Sequence, residues 1–522
     1  MSRNPIYKFM EKILNFCRRN SNRLIFCLFC FAFAYAEFLT LSVRPLDTDI
    51  FWHYKLGEEV ISTGRVTLEN TMSFIPGTEW VPQEWLYEIG LYAIVSSLGA
   101  LGLFVLYAVN TTMQAVISER FAKPKHIIWF CIAASVVLLF TPRNAWNRPS
   151  ELSVYLFPLI ILLYRKKPKF SHLYFILLGV FTANFHGGCI LVMTAIFILM
   201  LVCDLFLDIC GKKFSGFKYY RAHLVDLLLF LGSTCINPAG VRLLTTIPRI
   251  SSLDSTKYIS EWKSLSNSYY MCVIILAIAI SLGFALFRYR FSRREFPVIM
   301  VLTALLILSM HSVKGFIIFD MVWLCFGYRY LEEMLDSFFQ FSAKPKLKKI
   351  SLLLFLTIQP AVFTLAYGVA KSSVSDMENK SLEDYANSKV DGEIISCLKE
   401  NYTPETKILT SYNGGNYLIM NDMKCFVDSR QWPYAKELGE SDAVDELFYI
   451  STHTADFQSI SEFLNEYEFD YIWCNKDLRI EQYLAADPDY EKIMGTEAEK
   501  PEKFYEADDD DASESLWIRK EI

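Results

Sequence analysis

The sequence predicts an α-helical polytopic membrane protein of about eleven spans, followed by a C-terminal extracytoplasmic α/β domain. Three observations carry that expectation. Apolar runs crowd residues 23 to 370 and the remainder is polar and acid-rich, so the 53% hydrophobic content and mean hydropathy of +0.25 average over two different regions. Aromatic residues make up 15% of the chain, with Trp and Tyr recurring near the ends of apolar runs, where an amphipathic ring suits a membrane interface. Basic residues, finally, recur in every second loop.

Taken in order, the spans run approximately 23 to 42, 100 to 118, 126 to 141, 152 to 164, 171 to 185, 188 to 207, 222 to 240, 270 to 287, 296 to 310, 315 to 331 and 350 to 370. Several are shorter than the ~20 residues of a perpendicular helix, so the paired runs around His186 and His311 admit other boundaries. The basic clusters are Arg18, Arg19 and Arg23; Arg120, Lys123 and Lys125; Arg165 to Lys169; Lys212 to Arg221; Arg288 to Arg294; and Lys344 to Lys349. The positive-inside rule makes those loops cytoplasmic, with residues 1–22 as a cytoplasmic N-terminus in the plasma membrane of the cell. Residues 43–99, 141–151, 241–269, the turns near 186 and 312, and 371–522 are then extracytoplasmic. Ala34-Tyr35-Ala36 mimics a signal-peptide cleavage site, but apolar residues continue through Phe38, Leu39, Leu41 and Val43, which favours an uncleaved anchor.

Residues 371–522 alternate between helical and strand-like patterns: a helix near 381 to 400, strands in KILTSY and YLIM around Gly414-Gly415, a further apolar stretch in KCFVDSR, a helix in SISEFLNEY, and strands in DYIWCN and SLWIRKEI. The acidic run from 506 to 514 lacks EF-hand spacing and reads as a solvated loop. Most of the 13 cysteines lie in apolar runs, where Cys acts as a small hydrophobe. Cys397, Cys425 and Cys474 permit at most one disulfide among them, and no zinc spacing is present. The net charge of −6 is split between basic loops and an acidic C-terminal region, which does not suggest nucleic-acid binding.

The chemistry concentrates on one predicted face. The loop 43–99 is long, and long ordered loops usually have a task. It opens on Asp47 and Asp49, followed by Phe51, Trp52 and His53, and closes on Glu84 in QEWLYEIG. Other outer segments add Arg143 and Arg148 in TPRNAWNRPSE, His186 in NFHGG, Asn237-Pro238 in INPAG, Glu261 in ISEW, and His311 and Lys314 in HSVKG. Taken singly, these are interfacial anchors, helix caps and snorkelling cations. Together they line one cavity. Asp320, Asn110 and Gln114 lie within spans and read as structural partners of neighbouring helices.

In order, DTDIFWHYKLGEEV, EWLYEIGLY, RPSELSVYLFPL, NFHGG, INPAGVRLL, ISEW, HSVK, YNGGNYLI and FVDSR resemble the GT-C superfamily of polytopic glycosyltransferases, particularly bacterial relatives of the polyprenyl-phosphate-sugar protein mannosyltransferases and oligosaccharyltransferase catalytic subunits. The resemblance implies a catalytic carboxylate in the first outer loop, at Asp47 or Asp49, and a polyprenyl-phosphate-linked sugar donor in the bilayer. It implies an extracytoplasmic glycan, lipid or protein acceptor, inversion at the anomeric carbon, and room for a divalent cation such as Mg or Mn. The sequence departs from that pattern at Glu69-Asn70, where a second acid is expected, and at Lys314, where an arginine is expected.

In such a transfer the leaving group is already a phosphate, so the protein must supply a base and cations. A carboxylate takes the proton of the acceptor hydroxyl. Arg148, Arg143 or Lys314 meets charge developing on the phosphate. His53, Glu84, His186, Glu261 and His311 are the remaining substrate-binding candidates. A non-catalytic transporter or assembly factor on this scaffold is the rival from another class, although its polar groups should reach the midplane. A polysaccharide ligase or polymerase is a further rival, one that should depend on a large basic outer loop.

Overall fold

The computed structural model describes residues 21–42, 47–75, 80–140, 147–211, 215–253, 269–339, 380–436, 442–476, 478–495 and 514–520. Within them the apolar runs are helical: Ser21–Ser42, Leu101–Ala122, Ile127–Phe140, Leu156–Lys166, Ser171–Phe185, Cys189–Cys210, Phe217–Ser233, Tyr269–Tyr289 and Phe296–His311. The run expected from 315 to 331 is Val313–Val322, continued through a π-helical turn, Trp323–Gly327, into Tyr328–Phe339. The expected span 350 to 370 lies outside the described residues, as do Arg143 and Glu261.

Among the described residues, Leu101–Ala122, Cys189–Cys210 and Cys272–Tyr289 are long and apolar enough to cross a membrane. Ile127–Leu138, Ser171–Phe185 and Phe296–His311 are apolar but shorter. Their outward faces are apolar as well: Leu173, Leu177 and Phe181 are exposed at four-residue spacing on one helix, and Ile198, Val202, Leu205 and Ile209 on the next. A helix apolar on both faces fits lipid better than water. The expected span 222 to 240 begins earlier and stops at Ser233, because Asn237 folds its side chain onto the carbonyls of Thr234 and Gly240 and the N–H of Ala239. That local turn, next to Pro238, replaces the helix ladder.

These helices carry two polar rims. On Ser171–Phe185, Ser171 and His172 bind Asp226 at the N-terminal end, and Asn184 accepts from Trp85 at the C-terminal end. On Cys189–Cys210 the order reverses. Cys189 meets His186 at the start, and Asp204 and Asp208 take Tyr164, Tyr219, Tyr220 and Arg293 near the end. The expected structural roles of Asn110 and Gln114 are visible in their donation to the carbonyl of Glu151, at 3.3 and 3.5 Å.

Two helices occupy the first loop, Asp49–Thr63 and Trp85–Leu98. They approach very closely at Gly57, where a Cβ would stand 2.2 Å from the carbonyl oxygen of Glu88 and 2.9 Å from Cβ of Tyr92. Only glycine permits that approach.

The C-terminal region carries a four-stranded sheet. Strand β1 (Ile408–Leu409) runs parallel to β2 (Tyr471–Asn475). The sheet is completed antiparallel by β3 (Tyr490–Gly495) and β4 (Glu514–Arg519), in the order β1-β2-β4-β3. The helices expected near 381 to 400 and in SISEFLNEY are present as Leu382–Asn387, Gly392–Asn401 and Phe457–Tyr467. YLIM is not a strand. Gly414–Met420 is a helix, started when Ser411 accepts from the N–H groups of Gly414 and Gly415. KCFVDSR makes only a bridge, Cys425 to Ser73 of the first loop, with Phe74 and Cys425 backbone groups bonded across the contact. Cys397, Cys425 and Cys474 are free thiols.

Candidate active site on the first loop

Asp47 precedes the Asp49–Thr63 helix, and its Oδ1 accepts from the N–H of Asp49 at 3.2 Å. Arg148 reaches this pair from the start of the Pro149–Leu152 turn, held there by Pro149 at the first helical position and by Asn147 at φ +48°. Asn147 donates to the carbonyl of Leu103 at 2.6 Å, and its own carbonyl accepts the Tyr87 hydroxyl. Arg148 forks onto Asp47 through Nε, 2.6 Å from Oδ2, and Nη2, 2.9 Å from Oδ1. Its Nη1 lies 3.1 Å from Asp49 Oδ2. One guanidinium therefore orients two carboxylates, a planar geometry that lysine lacks.

The other oxygen of Asp49 accepts the hydroxyl of Ser429, from the FVDSR stretch. Asn416, from YNGGNY, donates to Thr48 Oγ1 at 2.8 Å and to Ser429 Oγ at 2.7 Å. Ser429 thus closes directly on Asp49, and Asn416 on Ser429 and on Thr48 between the two aspartates. Gly415 makes this possible, since a Cβ there would sit 2.2 Å from the carbonyl of Val427. Behind them Asp428 and Arg430 form a buried pair at 2.5 Å, joined by Tyr434 and by Asn70, which accepts from Arg430 at 2.7 Å. Burial by itself raises the Asp428 carboxyl, but the Arg430 charge and hydrogen bonds from Arg430 and Tyr434 hold it below its usual value. Asn70, where the resemblance would place an acid, is thus part of this clasp. Arg430 also lies over Trp80, which stacks on Trp432.

One turn beyond Asp49, the buried His53 sits between two carboxylates. Its Nδ1 is 3.3 Å from Glu88 Oε1 and its Nε2 is 3.9 Å from Glu84 Oε2. Burial lifts Glu88 well above the usual carboxylate range, and the neighbouring Glu84 charge adds to that. Glu84 also faces His186, 3.5 Å from its Nε2, while His186 Nδ1 lies 2.8 Å from Ser153 Oγ and 3.1 Å from Cys189 Sγ. Tyr87 packs edge-on against His53 and joins the two groups through Asn147.

The structure therefore brings Asp47, Asp49 and Arg148 together, with His53, Glu84 and His186 next to them. His311 ends its helix exposed, and the side chain of Lys314 lies outside the described residues. Sequence reasoning missed Glu88, Tyr87, Ser429 and Asn416. The signal for Glu88 was its four-residue spacing from Glu84, which puts both on one helix face.

No protein-family model and no curated protein matches the chain. Among solved structures it is similar to the Archaeoglobus fulgidus oligosaccharyltransferase AglB in complex with an inhibitory peptide and a dolichol-phosphate, with a TM-score of 0.56 and 12% identity over 90% of this chain and 71% of that one. The apo form of the A. fulgidus oligosaccharyltransferase gives 0.54 and 11% identity, covering 89% and 71%. The form tethered to an acceptor peptide containing the NVT sequon gives 0.53 and 11%, covering 88% and 70%. This chain has the fold of those archaeal oligosaccharyltransferases.

Proposed function

We propose that this protein is a membrane glycosyltransferase that moves a sugar from a polyprenyl-phosphate-linked donor to an acceptor hydroxyl or amide on the outer face of the plasma membrane. The observation that carries the reading is the paired carboxylate set by Arg148 at the lip of the helical bundle. The solved relative of this fold that holds dolichol-phosphate and a peptide supports the donor class.

In this reading Asp49 is the base. Both oxygens of Asp47 take the fork of Arg148, whereas Asp49 Oδ1 already accepts a hydroxyl, that of Ser429. An acceptor hydroxyl replacing Ser429 there presents its proton to Asp49 as its oxygen attacks the anomeric carbon from the side opposite the phosphate. The sugar–phosphate bond breaks, the electron pair leaves on the phosphate, and the configuration inverts. Asp47 keeps Arg148 in register, and Arg148 shares its charge with the site as negative charge develops.

The test is transfer of radiolabel from a panel of polyprenyl-phosphate sugars by purified, reconstituted protein with membrane-extracted acceptors. Asp49→Asn should abolish transfer and Asp47→Asn should lower it by about 10²-fold or more. Undiminished transfer in both variants would remove the carboxylates from the mechanism.

A further inference from the structure

At the rim of the bundle that carries Asp208, three arginines crowd one carboxylate. Arg165 lies near the end of Leu156–Lys166, the helix that leads away from the Arg148 turn. Arg294 and Glu295 precede Phe296–His311, and Arg329 belongs to the first turn of Tyr328–Phe339. Arg294 Nε is 3.5 Å from Glu295 Oε1 and Arg165 Nη2 is 4.0 Å from the same oxygen, while Arg329 and the Tyr330 hydroxyl meet Oε2. Neighbouring cations have acids of their own, Glu333 for Arg288 and Asp208 for Arg293. Three guanidiniums thus share the single charge of Glu295, and their donors are not used up. No described residue accepts a hydrogen bond from Arg165, although its side chain is only 18% exposed, and Arg329 Nε is buried without an acceptor. A snorkelling Arg165 would stand in water, and a structural ion pair would close the 4.0 Å gap. Instead Arg165 lies over Phe326 and Arg329 over Tyr330, ring contacts that fix both groups without consuming those donors.

We infer that Arg165, Arg294 and Arg329 hold the phosphate headgroup of an anionic bilayer lipid. Unspent guanidinium forks match phosphate oxygens, and basic pockets between membrane helices are a recurring way to hold such headgroups. The phosphate takes the donors of Arg165 and Arg329 Nε and offsets the surplus positive charge. Glu295 is a positioning residue, gathering the three arginines from three helices. Apolar surface borders the cluster, which favours a lipid over a free anion. Phe206 is exposed and stacks on Phe296, the residue after Glu295. Val202 and Ile209 are exposed along the same helix, so acyl chains have a face to run along. Phe287 and Phe291 also stand exposed, with Arg290 over both rings, as interfacial anchors beside the headgroup.

The experiment is thermal melting of the full-length protein in detergent, titrated with phosphatidylglycerol, with phosphatidylcholine of the same chains, or with inorganic phosphate. Phosphatidylglycerol should raise the melting temperature saturably, and phosphatidylcholine should need about 10-fold more lipid or worse for the same rise. Arg165→Gln should keep the lipid-free melting temperature, since Arg165 donates no hydrogen bond to a described residue, and should weaken phosphatidylglycerol by about 10-fold or more. Arg294→Gln, at an exposed position, guards against misfolding of that variant and should weaken the lipid as well. Arg120→Gln removes an equal charge from the exposed last turn of Leu101–Ala122 and should bind as the parent does. Equal rises with the two lipids, parent affinity in Arg165→Gln, or the same loss in Arg120→Gln overturns the site. A rise with inorganic phosphate that matches phosphatidylglycerol overturns the lipid as its ligand.

Discussion

Adding one methyl group at Gly57 should disable the site without touching a functional side chain. A Cβ there would lie 2.2 Å from the Glu88 carbonyl oxygen and 2.9 Å from Tyr92 Cβ, whereas ordinary contact begins at 3.4 Å. The obstacle is backbone, which cannot rotate away, so the Asp49–Thr63 and Trp85–Leu98 helices must part by about 1 Å at that level, and overpacking of this kind costs about 1–3 kcal/mol. Since His53 is one turn from Gly57 and Asp49 one turn from His53, the displacement reaches both the histidine–glutamate cluster and the aspartates. A misplacement of ~1 Å can reduce a reaction by about 10²-fold. At Gly90, on the Trp85–Leu98 helix, an added Cβ would meet nothing within 4 Å, so Gly90→Ala should hold or raise stability by about 0.5–1 kcal/mol through helix propensity. Thermal melts and transfer rates of the two variants decide the matter. If Gly57→Ala melts and turns over like Gly90→Ala, helix contact at Glu88 does not set the geometry of the site.

Three further outcomes are expected. Arg148→Lys keeps the charge but loses the fork onto Asp47, and should lower kcat by about 10²-fold with the melting temperature little changed; parent-like kcat would show that charge alone suffices. Arg430→Met leaves Asp428 buried without its cation and should cost about 3–5 kcal/mol, read as earlier loss of the tryptophan fluorescence of Trp80 and Trp432 in denaturant. Because the folded Asp428 carboxyl titrates below its ordinary 3.8, the pair's contribution is full above that pH and lost as pH falls through the lowered value, so the parent and Arg430→Met should converge in strong acid. A cysteine replacing the exposed Glu69 should react with an impermeant maleimide on intact cells, beyond the parent's own labelling; reaction only after lysis would reverse the orientation.

The helices were legible because a lipid-facing helix needs little beyond apolar length, and composition reports that directly. Where a run also had to close a turn, composition misled. The segment after Ser233 still offers Cys235, Ile236 and Ala239 to an apolar run, yet Asn237 diverts the backbone with its own side chain. YLIM reads as a strand by its residues, but Gly415 ahead of it lets the chain press against Val427, where the compact rise of a helix keeps Asn416 beside Ser429. Tertiary fit chose the element there, and a pattern of four residues holds no record of that fit.

For the site, Asp47 and Asp49 stood out because acids at the end of an apolar run are costly and therefore informative. Their partners were harder to see, since each reads as ordinary in its own element. Glu88 is an acid in the first turn of a helix, where the macrodipole alone would explain it. Ser429 lies 380 residues from Asp49 in sequence, a separation that no local pattern bridges. Under the proposed mechanism, that long-range contact gives the C-terminal region a part in the chemistry. With the Ser429 hydroxyl on Asp49, an acceptor can reach the base only by displacing it, so Ser429→Ala should admit acceptor more readily. Its KM for acceptor should fall, with kcat held by Asp49. An unchanged KM would mean that the acceptor approaches Asp49 from another side and that the clasp of Asn416 and Ser429 serves folding alone.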